Sequence, residues 1–279
     1  MEPARPDHKS LIGHSAVIPT LATTLLALAS GSIVGFTLGL VGGGGSILAV
    51  PLLVYVVGVD NPHVAIGTSA VAVAVNAAMN LVSHARLGNV KWRCGAVFAL
   101  SGVIGAFAGS SLGKLVDGQS LLALFAVLMV AVGGLMLKHR GAEGRLDVSL
   151  SPENLPKLVG LGLASGALSG FFGIGGGFLV APALILATSM PIKYAVGSSL
   201  LAVTAFGLTT SANYAVSGLV DWVLAGLFIA GGLVGGLIGA RSASALASRK
   251  GLLNMVFAGM IMMVAAYMLW RSLGAAMGG

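Results

Sequence analysis

The chain has 279 residues, of which 57% are hydrophobic and only 8% are charged, and its mean hydropathy is +1.00. Because a soluble domain carries roughly 25% charged residues, this composition excludes a water-soluble globular protein and indicates an all-α integral membrane protein. The formal net charge of +7 does not indicate nucleic-acid binding, since the basic residues lie in short connections between apolar runs, where membrane proteins collect lysine and arginine.

About eight hydrophobic segments follow a polar N-terminal tail at residues 1–16. They cover roughly residues 17–58, 63–83, 94–113, 119–137, 158–190, 194–216, 222–243 and 251–270. About 20 residues cross the ~30 Å hydrocarbon layer, and most of the segments have that length. The first and the fifth are longer. Residues 20–57 as one helix would extend about 57 Å at 1.5 Å per residue, so we expect both long segments to be broken.

A glycine cluster lies inside each long segment. Residues 39–51 read GLVGGGGSILAVP, and residues 170–182 read GFFGIGGGFLVAP. Glycine inside a helix costs about 1 kcal/mol relative to alanine, and non-helical backbone is tolerated in a bilayer only when it is buried in protein or faces a watery cavity. We therefore expect helical hydrogen bonding to stop at both clusters and the two breaks to meet near mid-membrane. The free N–H groups and positive end of each following helix would bind an anion there.

The two clusters belong to an internal repeat. A shift of 131 residues superimposes Gly31, Gly35, Gly39, Gly42, Gly44, Gly45 and Pro51 on six glycines and a proline of the second half. Farther along, a shift of 130 pairs Trp92 with Trp222. The sequence thus predicts membrane repeats at 17–137 and 158–271, a cytoplasmic linker at 138–157 and a C-terminal tail at 272–279. Glycines spaced by four residues also indicate close helix packing.

The positive-inside rule allows two orientations of these repeats. With four plain crossings per half and the N-terminus inside, ten of the fifteen Lys and Arg residues are cytoplasmic. If each broken segment instead returns to its own side, the halves are inverted, the N-terminus is outside and eleven of the fifteen are cytoplasmic. Both arrangements place residues 84–93 and 138–157 in the cytoplasm. Interrupted segments at matching positions are typical of inverted-repeat transporters, which favours inversion.

Small polar residues lie at matching positions after each cluster, and two asparagines share one helical face. Polar side chains within a membrane face the bundle or a cavity, and the alternative role, interhelical hydrogen bonding, contributes about 0.6 kcal/mol on average. The recurrence of the hydroxyls favours a substrate pathway, whereas both roles stay open for the asparagines. The candidate substrate-binding residues are Gly42, Gly44, Gly45, Ser46, Thr68, Ser69, Asn76, Asn80, Gly173, Gly175, Gly176, Gly177, Ser198, Ser199 and Asn213.

The apolar segments hold no carboxylate at depth, since Asp60, Asp117 and Asp221 lie at segment edges. The sequence also has no paired catalytic carboxylates, nucleophile elbow or metal-ligand cluster. We therefore expect a protein that is not an enzyme and has no catalytic residue, metal or cofactor. The expected partners are the lipid bilayer and a small anionic substrate but no nucleic acid, and a homodimer stays open.

The paired motifs resemble those of the sulfite exporter TauE/SafE family. Each copy has a G-x-G-G-G-like break followed by an apolar stretch and proline, then A-[IV]-G-[ST]-S, then G-x-[VI]-x-W, and the likeness covers roughly residues 20–270. The resemblance implies a multi-pass protein of the bacterial inner membrane that moves sulfite or an organosulfonate, by export through alternating access. Gly43 and Ser46 depart from the family pattern, which leaves the identity of the substrate open.

Two other functions stay open at this point. The chain could be a permease for a different small solute, coupled to protons through His84, because histidine titrates near neutral pH. It could also be a membrane scaffold or accessory subunit that transports nothing.

Overall fold

The computed structural model describes residues 20–138, 150–174, 177–246, 259, 262–268 and 270. Within these residues the chain is helical and contains no β-strand, which confirms the predicted all-α class. The polar tail at 1–16, most of the 138–157 linker and the C-terminal tail at 272–279 lie outside the described residues.

Up to residue 246, the described part of the chain forms nine α-helices, with a 3₁₀-helix and a π-helix between the first and third. In chain order the elements are α1 (Leu21–Val41), the 3₁₀-helix (Gly42–Leu48), α2 (Ala49–Leu52), the π-helix (Leu53–Val57), α3 (Pro62–Arg86), α4 (Trp92–Gly113), α5 (Gly118–Lys138), α6 (Leu155–Phe172), α7 (Gly177–Thr188), α8 (Ile192–Val216) and α9 (Trp222–Leu246). Among the described residues, six helices are long and apolar enough to cross a membrane, namely α1, α3, α4, α6, α8 and α9. Residues 262–268 are also helical, and Tyr267 packs edge-on against Tyr55 of the π-helix.

Both long segments are broken at their glycine clusters, as predicted, but the two breaks differ. Helix α6 ends at Phe172, and Gly173 follows with a φ of 67°, a left-handed conformation that glycine adopts without the steric cost of a Cβ atom. At the first cluster the chain instead forms the 3₁₀-helix, which keeps i→i+3 hydrogen bonds. The expectation that helical hydrogen bonding stops at both clusters is therefore wrong for the first one.

The chain reverses direction at the first cluster. Gly45 lies so close to the backbone of Thr37 and Leu38 that an added methyl group would overlap it. Residues seven positions apart in one continuous helix are separated by ~10 Å along the axis, so this contact requires the chain to fold back. Residues 42–57, which we call the first return segment, then contact α1 again. They end at Gly58, whose φ of 84° is left-handed.

The outer helices pair across the two halves of the chain. Helix α1 packs along α9, and α4 packs along α6. Gly31 and Gly35 of α1 lie directly on the backbone of Phe228 and Gly232 in α9. Because both sides of the contact advance by four residues, α1 and α9 run parallel, and the glycines of α4 and α6 show the same pattern. The glycine spacing predicted close packing, and the structure confirms it.

Helices α3 and α8 form the centre of the molecule. They are the most deeply buried of the candidate spans, and they pack against each other. Gly67 of α3 lies against Tyr214 of α8, whereas Gly207 of α8 lies against Ala74 of α3. Since the contact position on α8 falls as the position on α3 rises, these two helices run antiparallel.

The helix ends form two chemically different faces. We call the end where α3 stops and α8 begins the basic face, and the end where α3 begins and α8 stops the acidic face. In the described part of the chain, the basic face carries Arg86, Lys91, Arg93, Lys157, Lys193 and Arg241 with Glu153, and the acidic face carries Lys114 with Asp60, Asp117 and Asp221. The charged residues are thus divided unequally between the two ends of the bundle.

Two aspartates of the acidic face cap helices. Asp117 accepts hydrogen bonds of 3.0 Å from the backbone N–H groups of Ser120 and Gln119 at the start of α5, and these bonds hold the pKa of its carboxyl below the usual range. Asp221 accepts equivalent bonds from two N–H groups in the first turn of α9. Both carboxylates therefore satisfy helix N-termini at the end of the bundle, outside the apolar spans.

Replacing Gly35 with alanine should lower the stability of the protein, because the new methyl group would overlap the backbone of Gly232. Overpacking of this kind costs typically ~1–3 kcal/mol. Gly226 of α9 has open space at its Cβ position, so Gly226→Ala should leave the stability unchanged or raise it by up to ~1 kcal/mol. Thermal unfolding in detergent micelles measures both variants, and equal unfolding midpoints would contradict the proposed α1–α9 contact.

Candidate functional site

Most of the predicted polar residues lie on α3 and α8 and face the protein interior. The hydroxyl residues Thr68, Ser69, Ser198 and Ser199 have no solvent-exposed surface. Asn76 is 1% exposed. Because polar groups within a membrane face the bundle, the central helix pair is the place where a substrate could meet them.

Thr68 and Ser198, which match each other in the repeat, have the same kind of partner. The Thr68 hydroxyl oxygen accepts a 2.9 Å hydrogen bond from the backbone N–H of Asp221, just before α9. The Ser198 hydroxyl oxygen accepts a 2.8 Å bond from the N–H of Lys91, just before α4. Each hydroxyl therefore connects the central helix of one half to the start of a helix in the other half, Thr68 at the acidic face and Ser198 at the basic face. The recurrence of these hydroxyls in the repeat thus has a structural reason.

The second glycine cluster lies against the first third of α3. The side chain of Ile66 occupies the space where Gly173 would carry a Cβ atom. The Ser69 hydroxyl donates a 2.9 Å hydrogen bond to the carbonyl of Ile66 and also lies 3.4 Å from the carbonyl oxygen of Gly173. Gly177 is buried at the start of α7. The predicted site residues Gly175 and Gly176 lie outside the described residues.

The first glycine cluster lies between its own helix and the second half. The 3₁₀-helix that starts at Gly42 contacts α1, α7 and α8. Gly44, Gly45 and Ser46 are buried. Ser199, on the facing helix α8, donates a 2.8 Å hydrogen bond to the carbonyl of Val196 in its own helix. Each cluster therefore packs against a central helix of the opposite half.

The two clusters lie at different levels along α3. Gly173 is beside Ser69, whereas the backbone of Gly39, which precedes the first cluster, lies close to the His84 side chain near the end of α3. Fifteen residues of helix separate Ser69 from His84, which corresponds to ~22 Å along the axis. The first cluster therefore lies near the end of α3 and the second near its beginning. The expectation from the sequence that the two clusters meet at one point near mid-membrane is wrong.

Asn76 lies between these two levels, near the middle of α3. Among the residues that the structure describes, neither its amide nitrogen nor its amide oxygen has a hydrogen-bond partner. The amide lies directly on Gly232 of α9, at a place where any side chain on α9 would overlap it. One turn along, the amide of Asn80 lies beside Gly236 and donates a 2.9 Å hydrogen bond to the carbonyl of Asn76. A buried polar group without a partner lowers the free energy of unfolding by about 1–3 kcal/mol. Packing between α3 and α9 therefore does not by itself explain an asparagine at position 76.

The repeat position that matches Asn76 is occupied by an aromatic residue. Phe206 of α8 lies against Gly102 of α4, as Asn76 lies against Gly232. Its ring stacks on Phe98 with the centroids 6.3 Å apart. The interface of α3 with α9 therefore carries amides, and the matching interface of α8 with α4 is filled by aromatic rings. Sequence reasoning identified Asn76 but not this difference between the halves, which the repeat alignment could have revealed.

Asn213 lies at the acidic face and binds a lysine that the sequence reasoning missed. The Lys114 ammonium donates 2.8 Å hydrogen bonds to the side-chain oxygen of Asn213 and to the hydroxyl of Ser217. The Asn213 amide nitrogen donates to the hydroxyls of Ser110 and Ser111, at 2.6 and 3.0 Å. In the sequence, the position of Lys114 alone at the end of an apolar segment could have indicated that it binds a polar partner. This network joins α4 to α8 and lies away from Asn76.

Thr68→Val should lower the free energy of unfolding by about 1 kcal/mol, because the N–H of Asp221 would lose its acceptor. Thr209→Val is a matched control, since the Thr209 hydroxyl donates to the carbonyl of Ala205 in its own helix. Thermal unfolding of the two purified variants tests the difference. If Thr68→Val and Thr209→Val unfold at the same temperature as the unmodified protein, the bond to Asp221 contributes nothing.

Comparison with known proteins identifies relatives along most of the chain. The family model described as "Sulfite exporter TauE/SafE" matches residues 27–268. A probable membrane transporter protein of Xylella fastidiosa strain Temecula1 is 54% identical over 254 residues, which cover 91% of this chain and 97% of the relative. The probable membrane transporter protein YunE of Bacillus subtilis strain 168 is 30% identical over 231 residues, covering 75% of this chain and 85% of the relative. No solved structure matches.

Proposed function

The chain belongs to the sulfite exporter TauE/SafE family of membrane transporters, and from that premise we propose that it carries a small sulfur-containing oxyanion, sulfite or an organosulfonate, across the bacterial cytoplasmic membrane. The observation that carries this proposal is the amide of Asn76. It is buried at the middle of a central helix, and neither of its polar atoms has a hydrogen-bond partner within the described part of the chain. A passing solute that can accept and donate hydrogen bonds would provide the hydrogen-bond partners that this amide does not find among the described residues.

The chemistry around Asn76 suits an anion better than a cation. Asn76 and Asn80 offer neutral N–H donors to the oxygens of a sulfite or sulfonate group. The carboxylates that the structure describes all lie outside the six spans, at Asp60, Asp117, Glu153 and Asp221. A carboxylate beside the pathway would repel an oxyanion, whereas donors in an apolar surrounding hold it without a fixed charge. The glycine backbone of α9 lets such a group approach closely, since it has no Cβ atom.

The two halves, in this proposal, form an inverted repeat. The relative orientations of three helix pairs support this proposal. The matching helices α3 and α8 are antiparallel, α1 is parallel to α9, and α4 is parallel to α6. If the halves had the same orientation, α3 and α8 would point the same way. Inverted repeats are a common basis of alternating access.

The moving units are not the halves themselves. Backbone contacts at Gly35 and at its counterparts bind α1 to α9 and α4 to α6, and each of these pairs contains one helix of each half. A half cannot move as a rigid body without breaking such contacts. Alternating access therefore involves the α1–α9 pair moving relative to the α4–α6 pair, on either side of the central helices α3 and α8.

The basic face is the cytoplasmic one in this arrangement. Lys91 and Lys193 lie on opposite sides of the membrane if the halves are parallel and on the same side if they are inverted, and both ammonium groups lie over the ring of Tyr194. The positive-inside rule then places this lysine-rich end inside the cell. Export of a monoanion from a negative interior gains about 2.3 kcal/mol per 100 mV, so efflux requires no coupled ion.

Asn76→Leu should reduce sulfite flux at least about tenfold in proteoliposomes, since a tenfold effect needs only about 1.4 kcal/mol of lost interaction. The variant should remain folded, because leucine removes an unsatisfied amide. Phe206→Leu, at the matching position, is the control and should keep most of the flux. The readout is the initial rate of radiolabelled sulfite movement, with thermal unfolding as the test of folding.

Three results would contradict the proposal. Unchanged flux in Asn76→Leu would reject Asn76 as part of the pathway. An equal loss in Phe206→Leu would show that the effect is one of packing. An unmodified protein that moves neither sulfite nor taurine would reject the substrate class and favour a scaffold role.

A proton-coupled permease is the second candidate, and the position of His84 favours it. His84 is 8% exposed and lies close to the backbone of Gly39, next to the first cluster. If His84 carried the coupling proton, an imposed pH gradient alone would drive solute into proteoliposomes, and His84→Gln would abolish that uptake. Under the uncoupled mechanism proposed above, membrane potential alone drives flux, and His84→Gln retains this dependence.

A further inference from the structure

We propose that Lys91, Lys193 and Tyr194 form a docking site for a small oxyanion at the basic face, where the substrate is collected before it enters the pathway. The Lys91 ammonium lies 4.8 Å from the centroid of the Tyr194 ring, and the Lys193 ammonium lies 5.6 Å from it. This inference rests on the proposed function, because it identifies an entrance for the same substrate.

The charge at this site is not neutralised within the protein. The two ammonium groups are no more than about 10 Å apart, because both lie over one ring, and like charges at that distance repel each other. The ring faces attract both cations but carry no net charge. Within the described part of the chain, neither lysine forms an ion pair with a carboxylate. The aspartates Asp60, Asp117 and Asp221 lie at the opposite face, and Glu153, the described carboxylate of the basic face, precedes α6 and is not paired with either lysine.

The site is held in place by contacts between the halves. Lys91 lies in the connection between α3 and α4, and Lys193 lies in the first turn of α8. The backbone N–H of Lys91 is fixed by its 2.8 Å hydrogen bond to the hydroxyl of Ser198. Gly197 of α8 lies directly on the backbone of Asn89 in the same connection. The two lysines are therefore brought together by the fold and not by sequence proximity.

The ligand chemistry follows from these groups. Each ammonium group can donate charge-assisted hydrogen bonds to the oxygens of an anion, and together the two lysines place two positive charges beside the Tyr194 ring. A free sulfite or sulfonate provides such oxygens, and so does the phosphate of a lipid headgroup. Because the proposed function requires the substrate to enter at this face, we take the free anion as the ligand, and the experiment must distinguish the two sources.

The test measures sulfite binding by isothermal titration calorimetry in phosphatidylcholine nanodiscs, in the Asn76→Leu background so that the central site does not contribute. The Asn76→Leu protein should bind sulfite, and adding Lys91→Gln and Lys193→Gln should weaken that binding at least about fivefold. Adding Lys157→Gln instead, at the basic-face end of α6, should leave the affinity unchanged. Absence of sulfite binding in the Asn76→Leu protein, or equal affinity in both lysine variants, would overturn the proposal.

Two further measurements separate the alternatives. In proteoliposomes with Asn76 intact, Lys91→Gln with Lys193→Gln should raise the KM for sulfite without lowering the maximal rate, whereas loss of the pathway itself lowers the maximal rate. Nanodiscs that also contain phosphatidylglycerol test the lipid headgroup. Retained sulfite affinity supports the free anion as the ligand, and suppressed affinity would show that lipid phosphate occupies the site and would overturn the docking role.

Discussion

The structure depends on close contact between helix backbones at glycine residues. Lipid tails are as apolar as leucine, so membrane helices gain little from hydrophobic burial and are held by close packing instead. Gly35 on Gly232 and Gly105 on Leu163 are contacts of this kind, and each joins a helix of the first half to a helix of the second. Because such contacts recur at every fourth residue, the two halves are interlocked along the length of the bundle. The same contacts determine which helices can move together.

The candidate site is a consequence of this packing. The amide of Asn76 fits between α3 and α9 only because position 232 is glycine. At the matching interface Gly102 leaves the same space, and Phe206 fills it. One architecture, used twice, thus produces one polar interface and one aromatic interface. The proposed substrate pathway lies at the polar interface of α3 with α9. The repeat also provides a matching interface of α8 with α4, but aromatic rings fill it.

Sequence patterns predicted the helical class, the broken first segment of each repeat and the close packing of glycines, because each depends on composition or on spacing along one helix. They did not predict the partners of Thr68 and Ser198, because the N–H groups that those hydroxyls accept from belong to residues more than a hundred positions away. The 3₁₀-helix at the first cluster was missed for a similar reason. Its form depends on the contact between Gly45 and the preceding helix, which spacing alone does not reveal.

The most direct test of the account concerns the proposed inversion of the halves. Single cysteines are placed at the exposed residues Leu87, Ile192, Leu115 and Val216, in a Cys94→Ala background. Their reaction with a membrane-impermeant thiol reagent is then measured in intact cells and in inside-out vesicles. The account predicts that positions 87 and 192 react only in inside-out vesicles, and that positions 115 and 216 react in intact cells. Reaction of 87 and 192 from opposite sides of the membrane would contradict it.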